Sequence, residues 1–117
     1  MSHWYRRNGQ RYRNDEPAIG NPEWQAMMQE VEKDLTNMDT KRVARDVLPD
    51  GKVVSTVWLG FNHNYGDGPP LIFETMVFPS EGELDELAVD RYSTEQEAMA
   101  GHRSFVAQYS VPKEAQP

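Results

Sequence analysis

The hydrophobic positions of this chain follow two different periods, which predicts both strands and helices. Residues 53–61 and 71–78 are rich in β-branched and aromatic side chains, and turn-forming residues bound each run. Two such runs predict two antiparallel β-strands. The nine residues 62–70 between them include Gly, Asn and Pro, which do not continue a β-ladder. This loop is longer than the usual hairpin connection of about 2–5 residues, so we expect it to hold binding groups.

Two further stretches belong to the same predicted sheet. Residues 41–48 alternate in the period of two that a strand requires, and a Pro-Asp-Gly turn follows at 49–51. A connection this short makes neighbours of the strands over 41–48 and 53–61. Residues 88–92 are the candidate for a further strand at the edge. The predicted antiparallel sheet therefore has three or four strands.

Two amphipathic helices, over residues 22–37 and 94–109, complete a predicted α+β fold. Asn21 is the expected N-cap of the first helix, with Pro22 at its first position. The second helix begins with two overlapping capping-box pairs, which are Ser93 with Gln96 and Thr94 with Glu97. The apolar faces, spaced as a helix requires, consist of Trp24, Met27, Met28, Val31, Leu35 and Met38 in the first helix and Ala98, His102, Phe105, Val106 and Tyr109 in the second.

Alternation along the two central strands sorts their side chains onto two faces. If the strands pair about a loop centre near Gly66, one face carries Val54, Thr56, Trp58, Ile72, Glu74, Met76 and Phe78. A contiguous apolar patch of that size is unusual on a monomer. If no helix covers this face, we therefore expect a homo-oligomer interface formed by Val54, Trp58, Ile72, Met76 and Phe78.

Composition limits the classes of protein to be considered. The chain has 117 residues, enough for one domain, and no cysteine, which excludes disulfides and thiolate metal sites. Its net charge is −7, yet residues 1–14 contain four arginines and no acid. An acidic body repels phosphates, so general nucleic-acid binding is not expected. No run reaches the ~20 apolar residues of a membrane span, and we expect a cytoplasmic protein.

The basic N-terminus forms a separate segment in this interpretation. Asn8-Gly9 is a strong signal for a two-residue hairpin turn, so residues 1–14 are predicted to be a small hairpin or an arm that contacts an acidic partner or RNA. Residues 15–111 then form the single α+β domain. Residues 112–117, which follow a proline, are predicted to be a tail.

Three polar residues, His63, Glu74 and His102, lie where the pattern predicts burial or a loop. Two imidazoles and a carboxylate suit a divalent metal such as zinc with water in the open position, and also suit acid–base chemistry. The histidines are 39 residues apart, and no metal-site motif spacing joins them. The structural alternatives are a buried His102 bonded to a carbonyl or carboxylate, Glu74 facing solvent or paired with Arg45 or Arg91, and His63 as an ordinary loop residue.

A second hypothesis places a small molecule, for example a nucleotide signal, between the 62–70 loop and the second helix. The residues that would line such a pocket are His63, Tyr65, Asp67, His102 and Arg103. This function needs no metal or other cofactor.

The blocks STVWLGFNHNYGDGPPLIFETMVF (55–78) and RYSTEQEAMAGH (91–102), with the opening SHWYRRNGQ, resemble a widespread family of small bacteriophage and prophage proteins. The resemblance covers most of the chain and is weakest at 14–40 and 79–89. It implies an accessory protein made in the cytosol of an infected bacterium, and it assigns no functional residue. This chain has Phe61-Asn62-His63 where the family pattern has Leu-Asp-His, which weakens the metal hypothesis.

These observations favour a non-enzymatic accessory protein that binds and modulates a host or phage protein. Seven acids fall within residues 81–97. A ridge of carboxylates can imitate a phosphate backbone, so inhibition of a nuclease or another defence factor is one version of this function. The small-molecule-binding protein and the metal-dependent enzyme are the alternatives.

Overall fold

The computed structural model describes residues 3–110, which form a four-stranded antiparallel sheet and three helices. The elements are α1 (Pro22–Thr36), α2 (Met38–Lys41), β1 (Arg42–Val47), β2 (Val53–Trp58), β3 (Phe73–Phe78), β4 (Ala88–Tyr92) and α3 (Glu95–Tyr109). The strands lie in chain order, β1-β2-β3-β4. The predicted α+β class and the fourth strand are confirmed, and α2 is an additional short helix. The predicted tail, 112–117, lies outside the described residues.

The helix boundaries follow from local hydrogen bonding. Asn21 is the N-cap of α1 by position, although its side chain makes no capping hydrogen bond, and Pro22 opens the helix. At α3 the Thr94 hydroxyl accepts from the backbone N–H of Glu97 at 3.1 Å and donates to its carboxylate at 3.0 Å. Of the two predicted capping-box pairs, this one therefore starts the helix. Within residues 3–110, no helix has the length and apolar character needed to cross a membrane.

The register between β2 and β3 differs by one residue from the predicted one. Val54 lies opposite Val77, and Thr56 lies opposite Thr75. The centre of the connection is therefore between Tyr65 and Gly66, not at Gly66. Because side chains alternate between faces, a shift of one residue exchanges the faces of a whole strand. The predicted grouping of Val54 with Phe78 was wrong for this reason.

Helix α3 covers one face of the sheet and contacts all four strands. Beneath it lie two apolar clusters with a polar layer between them. The first contains Trp58, Phe73, Ala98, Met27, Val31, Ile72 and Tyr12, and the second contains Leu48, Val54 and Val77. The polar layer consists of Thr56, Thr75 and His102, all buried.

The five residues of the expected oligomer interface do not form one surface. Val54, Trp58 and Ile72 are fully buried in the core of the chain itself. Met76 and Phe78 follow the alternation of β3 onto the opposite face, and both are partly buried. The corrected register accounts for the separation of Val54 and Trp58 from Met76 and Phe78. A contact between copies would have to use a different set of residues.

The face of the sheet opposite α3 is mixed in character. Val47 of β1 is 52% exposed and Val89 of β4 is 44% exposed. Glu74 is nearly buried on this face, and its carboxylate accepts from the Nε of Arg91 at 2.8 Å. The predicted alternative in which Glu74 pairs with Arg91 is confirmed.

Candidate functional site

The N-terminal residues form a hairpin whose two sides face different surroundings. Tyr5 pairs with Arg11 across the hairpin, and the N–H of Arg6 donates to the carbonyl of Gln10, so the turn has three residues, 7–9, and ends on Gly9 with a φ of +91°. Residues opposite each other in an antiparallel pair share a face. Tyr5 and Arg11 therefore lie together on one face, while Tyr12 is buried in the core. The predicted hairpin is confirmed, but its turn has three residues and not the two predicted from Asn8-Gly9.

This hairpin is hydrogen-bonded to the segment that follows β2. The N–H of Tyr5 donates to the carbonyl of Gly60 at 2.8 Å, and the N–H of Asn62 donates to the carbonyl of His3, also at 2.8 Å. The indole Nε1 of Trp58 donates to the carbonyl of Tyr5 at 3.1 Å. These bonds place the hairpin beside the long connection between β2 and β3.

Two asparagines hold that connection in one conformation. The side-chain oxygen of Asn62 accepts from the N–H of Asn64 at 2.7 Å and from that of Leu71 at 3.0 Å. The Asn64 amide group donates to the carbonyls of Asp67 (3.2 Å) and Pro69 (2.9 Å), and its oxygen accepts from Gly66 N–H (3.0 Å). The loop is therefore ordered by its own side chains, as compact functional loops often are.

A cavity of about 450 Å³ lies between the hairpin and this loop. We call it the aromatic cleft, and its walls include His3, Tyr5, Arg11, Phe61 and Tyr65. The rings form a continuous series: the centroid of Phe61 is 5.7 Å from that of His3 and 6.1 Å from that of His63, which is 6.4 Å from Tyr65. Tyr65 is 83% exposed, so one of these rings is open to solvent.

The charge in the cleft comes from one arginine. The other three arginines of the hairpin pair with acids: Arg6 with Glu30 (2.7 Å), Arg7 with Glu95 (2.6 Å), and Arg13 with Asp15 and Glu23 (3.7 and 3.8 Å). Among residues 3–110, no carboxylate pairs with Arg11. Its guanidinium donates one hydrogen bond within this part of the chain, to the carbonyl of Asn14 at 3.2 Å. None of the described residues that line the cleft is an Asp or a Glu.

The predicted ligand-binding residues are divided between two regions. Tyr65 lines the aromatic cleft, and His63 contacts its ring series. Asp67 lies in the exposed part of the loop. His102 and Arg103 are on α3, where His102 is buried beneath the helix and Arg103 is exposed. The second wall of the cleft is the N-terminal hairpin, not the second predicted helix.

The predicted metal triad does not assemble. Glu74 and Thr75 are consecutive in β3 and so point to opposite faces, and His102 lies on the face of Thr75. Within residues 3–110 there is no group of three or more His, Asp or Glu side chains placed to hold a metal ion. Asn62 accepts two backbone hydrogen bonds, which the carboxylate of an Asp would also accept. These two hydrogen bonds account for an amide or carboxylate side chain at position 62 without a metal.

His102 belongs to a chain of hydrogen bonds inside the core. Its Nε2 is 2.7 Å from a carboxylate oxygen of Asp46, and its Nδ1 is 2.7 Å from the hydroxyl of Thr56, which is 2.5 Å from the hydroxyl of Thr75. Because a carboxylate only accepts, Nε2–H donates to Asp46, and in the neutral ring Nδ1 accepts from Thr56. The predicted alternative of a buried histidine bonded to a carboxylate is confirmed.

This hydroxyl–imidazole–carboxylate order is also that of a nucleophilic triad. A nucleophile must reach its substrate, however, and the Thr56 side chain has no exposed surface. Thr56 also lies under α3, between two apolar clusters. We therefore assign the network to the polar layer that positions the helix on the sheet.

In comparisons with protein-family models, curated proteins and solved structures, nothing matches this chain. The candidate site therefore stands on its geometry. Sequence reasoning missed its hairpin wall, because a two-residue turn at Asn8-Gly9 places Tyr5 opposite Tyr12, whereas the observed hairpin places Tyr5 opposite Arg11. The sequence also does not indicate that the hairpin packs beside the 62–70 loop, since that position depends on hydrogen bonds to backbone groups of Gly60 and Asn62.

Proposed function

We propose that this chain is a non-enzymatic binding protein that holds a small molecule with a flat ring in the aromatic cleft. The observation that supports this most directly is the cavity of about 450 Å³ bounded by rings from two separate segments. Ligand pockets typically have volumes of about 300–1,000 Å³ and combine aromatic walls with a few polar groups. The cleft matches that description in size and in chemistry.

The order of the loop adds to this argument. Tyr65 projects into solvent from a loop in which the side chains of Asn62 and Asn64 make five hydrogen bonds to backbone groups. A ring that is already positioned loses little conformational entropy when a ligand stacks on it. Stacking of a planar ring on an aromatic side chain contributes about 1–3 kcal/mol.

The test is a binding measurement with a panel of ring compounds, by calorimetry and by the shift in unfolding temperature. At least one compound should bind the wild type, and Tyr65→Ala should weaken that binding about 5- to 150-fold, which corresponds to the stacking energy. Tyr65→Phe, which keeps the ring, should bind nearly as well. Leu84→Ala is the matched control, because Leu84 is 85% exposed and does not line the cleft. Binding that Tyr65→Ala leaves unchanged would exclude the cleft.

A second candidate is the phage-type accessory function, in which the chain binds a host or phage protein in the bacterial cytosol. The half-exposed Val47 and Val89 on the sheet face opposite α3 favour it, because apolar side chains between charged ones are common at protein interfaces. Val47→Asp and Val89→Asp should each abolish recovery of a partner from host lysate. If both variants recover the same proteins as the wild type, this face is not the docking surface.

A further inference from the structure

We infer that the ligand of the aromatic cleft has an anionic group joined to its ring, as a nucleoside monophosphate does, and that Arg11 binds the anion. This inference rests on the proposed function, and it adds the charge of the ligand and the residue that recognises it.

Arg11 is available to a ligand in a way that the neighbouring arginines are not. Arg6, Arg7 and Arg13 each pair with at least one carboxylate of the body, whereas Arg11 pairs with none within residues 3–110. A guanidinium has five N–H donors in a planar fork, and for Arg11 the recorded hydrogen bond engages one nitrogen with the neutral carbonyl of Asn14. The remaining donors suit the paired oxygens of a phosphate or carboxylate.

The position of Arg11 joins its charge to the rings. It lies opposite Tyr5 across the hairpin, and both side chains line the same cavity as Phe61 and Tyr65. A ligand that stacks on a ring of the cleft can therefore present an anion to the guanidinium without leaving the cavity. An uncharged ring compound would form no ion pair with the guanidinium, and a free inorganic anion would not stack on the rings.

The charge of the rest of the chain makes this position selective. The whole chain has a net charge of −7, so its surface generally repels anions. The acids nearest in sequence to the cleft walls are Asp15, which pairs with Arg13, Glu16, whose carboxylate accepts from the N–H of His3, and Asp67 in the loop. None of the three lines the cavity. The cleft is therefore a place on this acidic protein where an anion meets an unpaired cation.

The experiment compares the four nucleoside 5′-monophosphates, the four parent nucleosides and inorganic phosphate by calorimetry at a fixed ionic strength of about 0.15 M, where screening is physiological. We expect at least one monophosphate to bind about 10-fold or more tightly than both its nucleoside and phosphate. Arg11→Gln should remove that preference and leave the nucleoside affinity unchanged, and Arg11→Lys should retain part of it. Arg103→Gln is the control, because it removes the same charge from an exposed site on α3.

The other possible outcomes show whether the anion inference alone fails or the proposed function fails as well. If nucleoside and monophosphate bind equally, or Arg11→Gln behaves as Arg103→Gln does, the anion inference is rejected and ring recognition stands. Phosphate that binds as tightly as the monophosphates rejects the role of the ring. If no compound in the panel binds, the anion inference is rejected, and the wider ring panel then decides the proposed function. Unfolding curves of each variant show that it remains folded.

Discussion

Replacing His102 by Ala tests whether this histidine stabilises the fold or does chemistry. The side chain is 3% exposed and contacts Thr56 on one side and Asp46 on the other. If it positions α3 on the sheet, its loss should lower the free energy of unfolding while ligand binding in the aromatic cleft stays unchanged. A catalytic or metal-binding role would instead remove function and affect stability less.

The expected loss in free energy of unfolding is the sum of the effects on the side chain, its hydrogen-bond partners and the helix. Truncation of a large buried side chain to Ala costs about 2–5 kcal/mol. The buried hydroxyl of Thr56 loses one of its two partners, which adds about 1 kcal/mol. The Asp46 side chain is 55% exposed, so water replaces its lost bond at little cost. The higher helix propensity of Ala returns roughly 0.5 kcal/mol, so we expect a net loss of about 2.5–5.5 kcal/mol.

Urea unfolding followed by far-UV circular dichroism measures this loss. The midpoint should fall by roughly 1–5 M for an m-value of about 1–3 kcal/mol/M. Thr56→Val should lose about 1–2 kcal/mol, and Asp46→Ala less than about 1 kcal/mol. Arg103→Ala, at the next position of α3, should stay within about 0.5 kcal/mol of the wild type. A His102→Ala protein within about 1 kcal/mol of the wild type, or an Asp46→Ala protein that is equally unstable, would refute this account.

Two further predictions concern tyrosines. A Cβ at position 101 would overlap the Tyr92 ring. Overpacking costs about 1–3 kcal/mol and helix propensity returns about 1 kcal/mol, so Gly101→Ala should destabilise the protein by up to about 2 kcal/mol. A gain in unfolding temperature like that of Ser104→Ala would contradict this prediction. Burial first, and then the hydrogen bond to Asp34, raise the pKa of Tyr12 above its ordinary value near 10. Above about pH 10 the unfolded state loses the Tyr12 proton and the folded state keeps it. The contribution of Tyr12 to the free energy of unfolding is therefore constant up to about pH 10 and falls above it by up to about 1.4 kcal/mol per pH unit. Tyr12→Phe should reduce this slope in urea titrations at pH 9–12, and an unchanged slope would show that Tyr12 is not its source.

Local signals in the sequence were sufficient for the elements themselves. The bounds of α1 and α3 follow from Pro22 and from the capping pair of Thr94, which act within one helical turn. The four strands follow from β-branched runs separated by turns, and the presence of a hairpin, although not the length of its turn, follows from Asn8-Gly9. Burial of His102 was expected because it falls on the apolar stripe of its helix. Each of these features depends on residues close together in the chain.

The tertiary structure decided which elements meet and through which faces. The register of β2 against β3 depends on whether the long connection is centred on Gly66 or just before it, and alternation leaves that choice open. The wall of the aromatic cleft depends on backbone hydrogen bonds from the hairpin to Gly60 and Asn62. Backbone groups are the same for every residue type, so the side-chain pattern does not specify where they pair. The sequence by itself determined the strands, the two long helices and the presence of the hairpin, and only the packing between them brought Arg11 and Tyr65 to the same cavity.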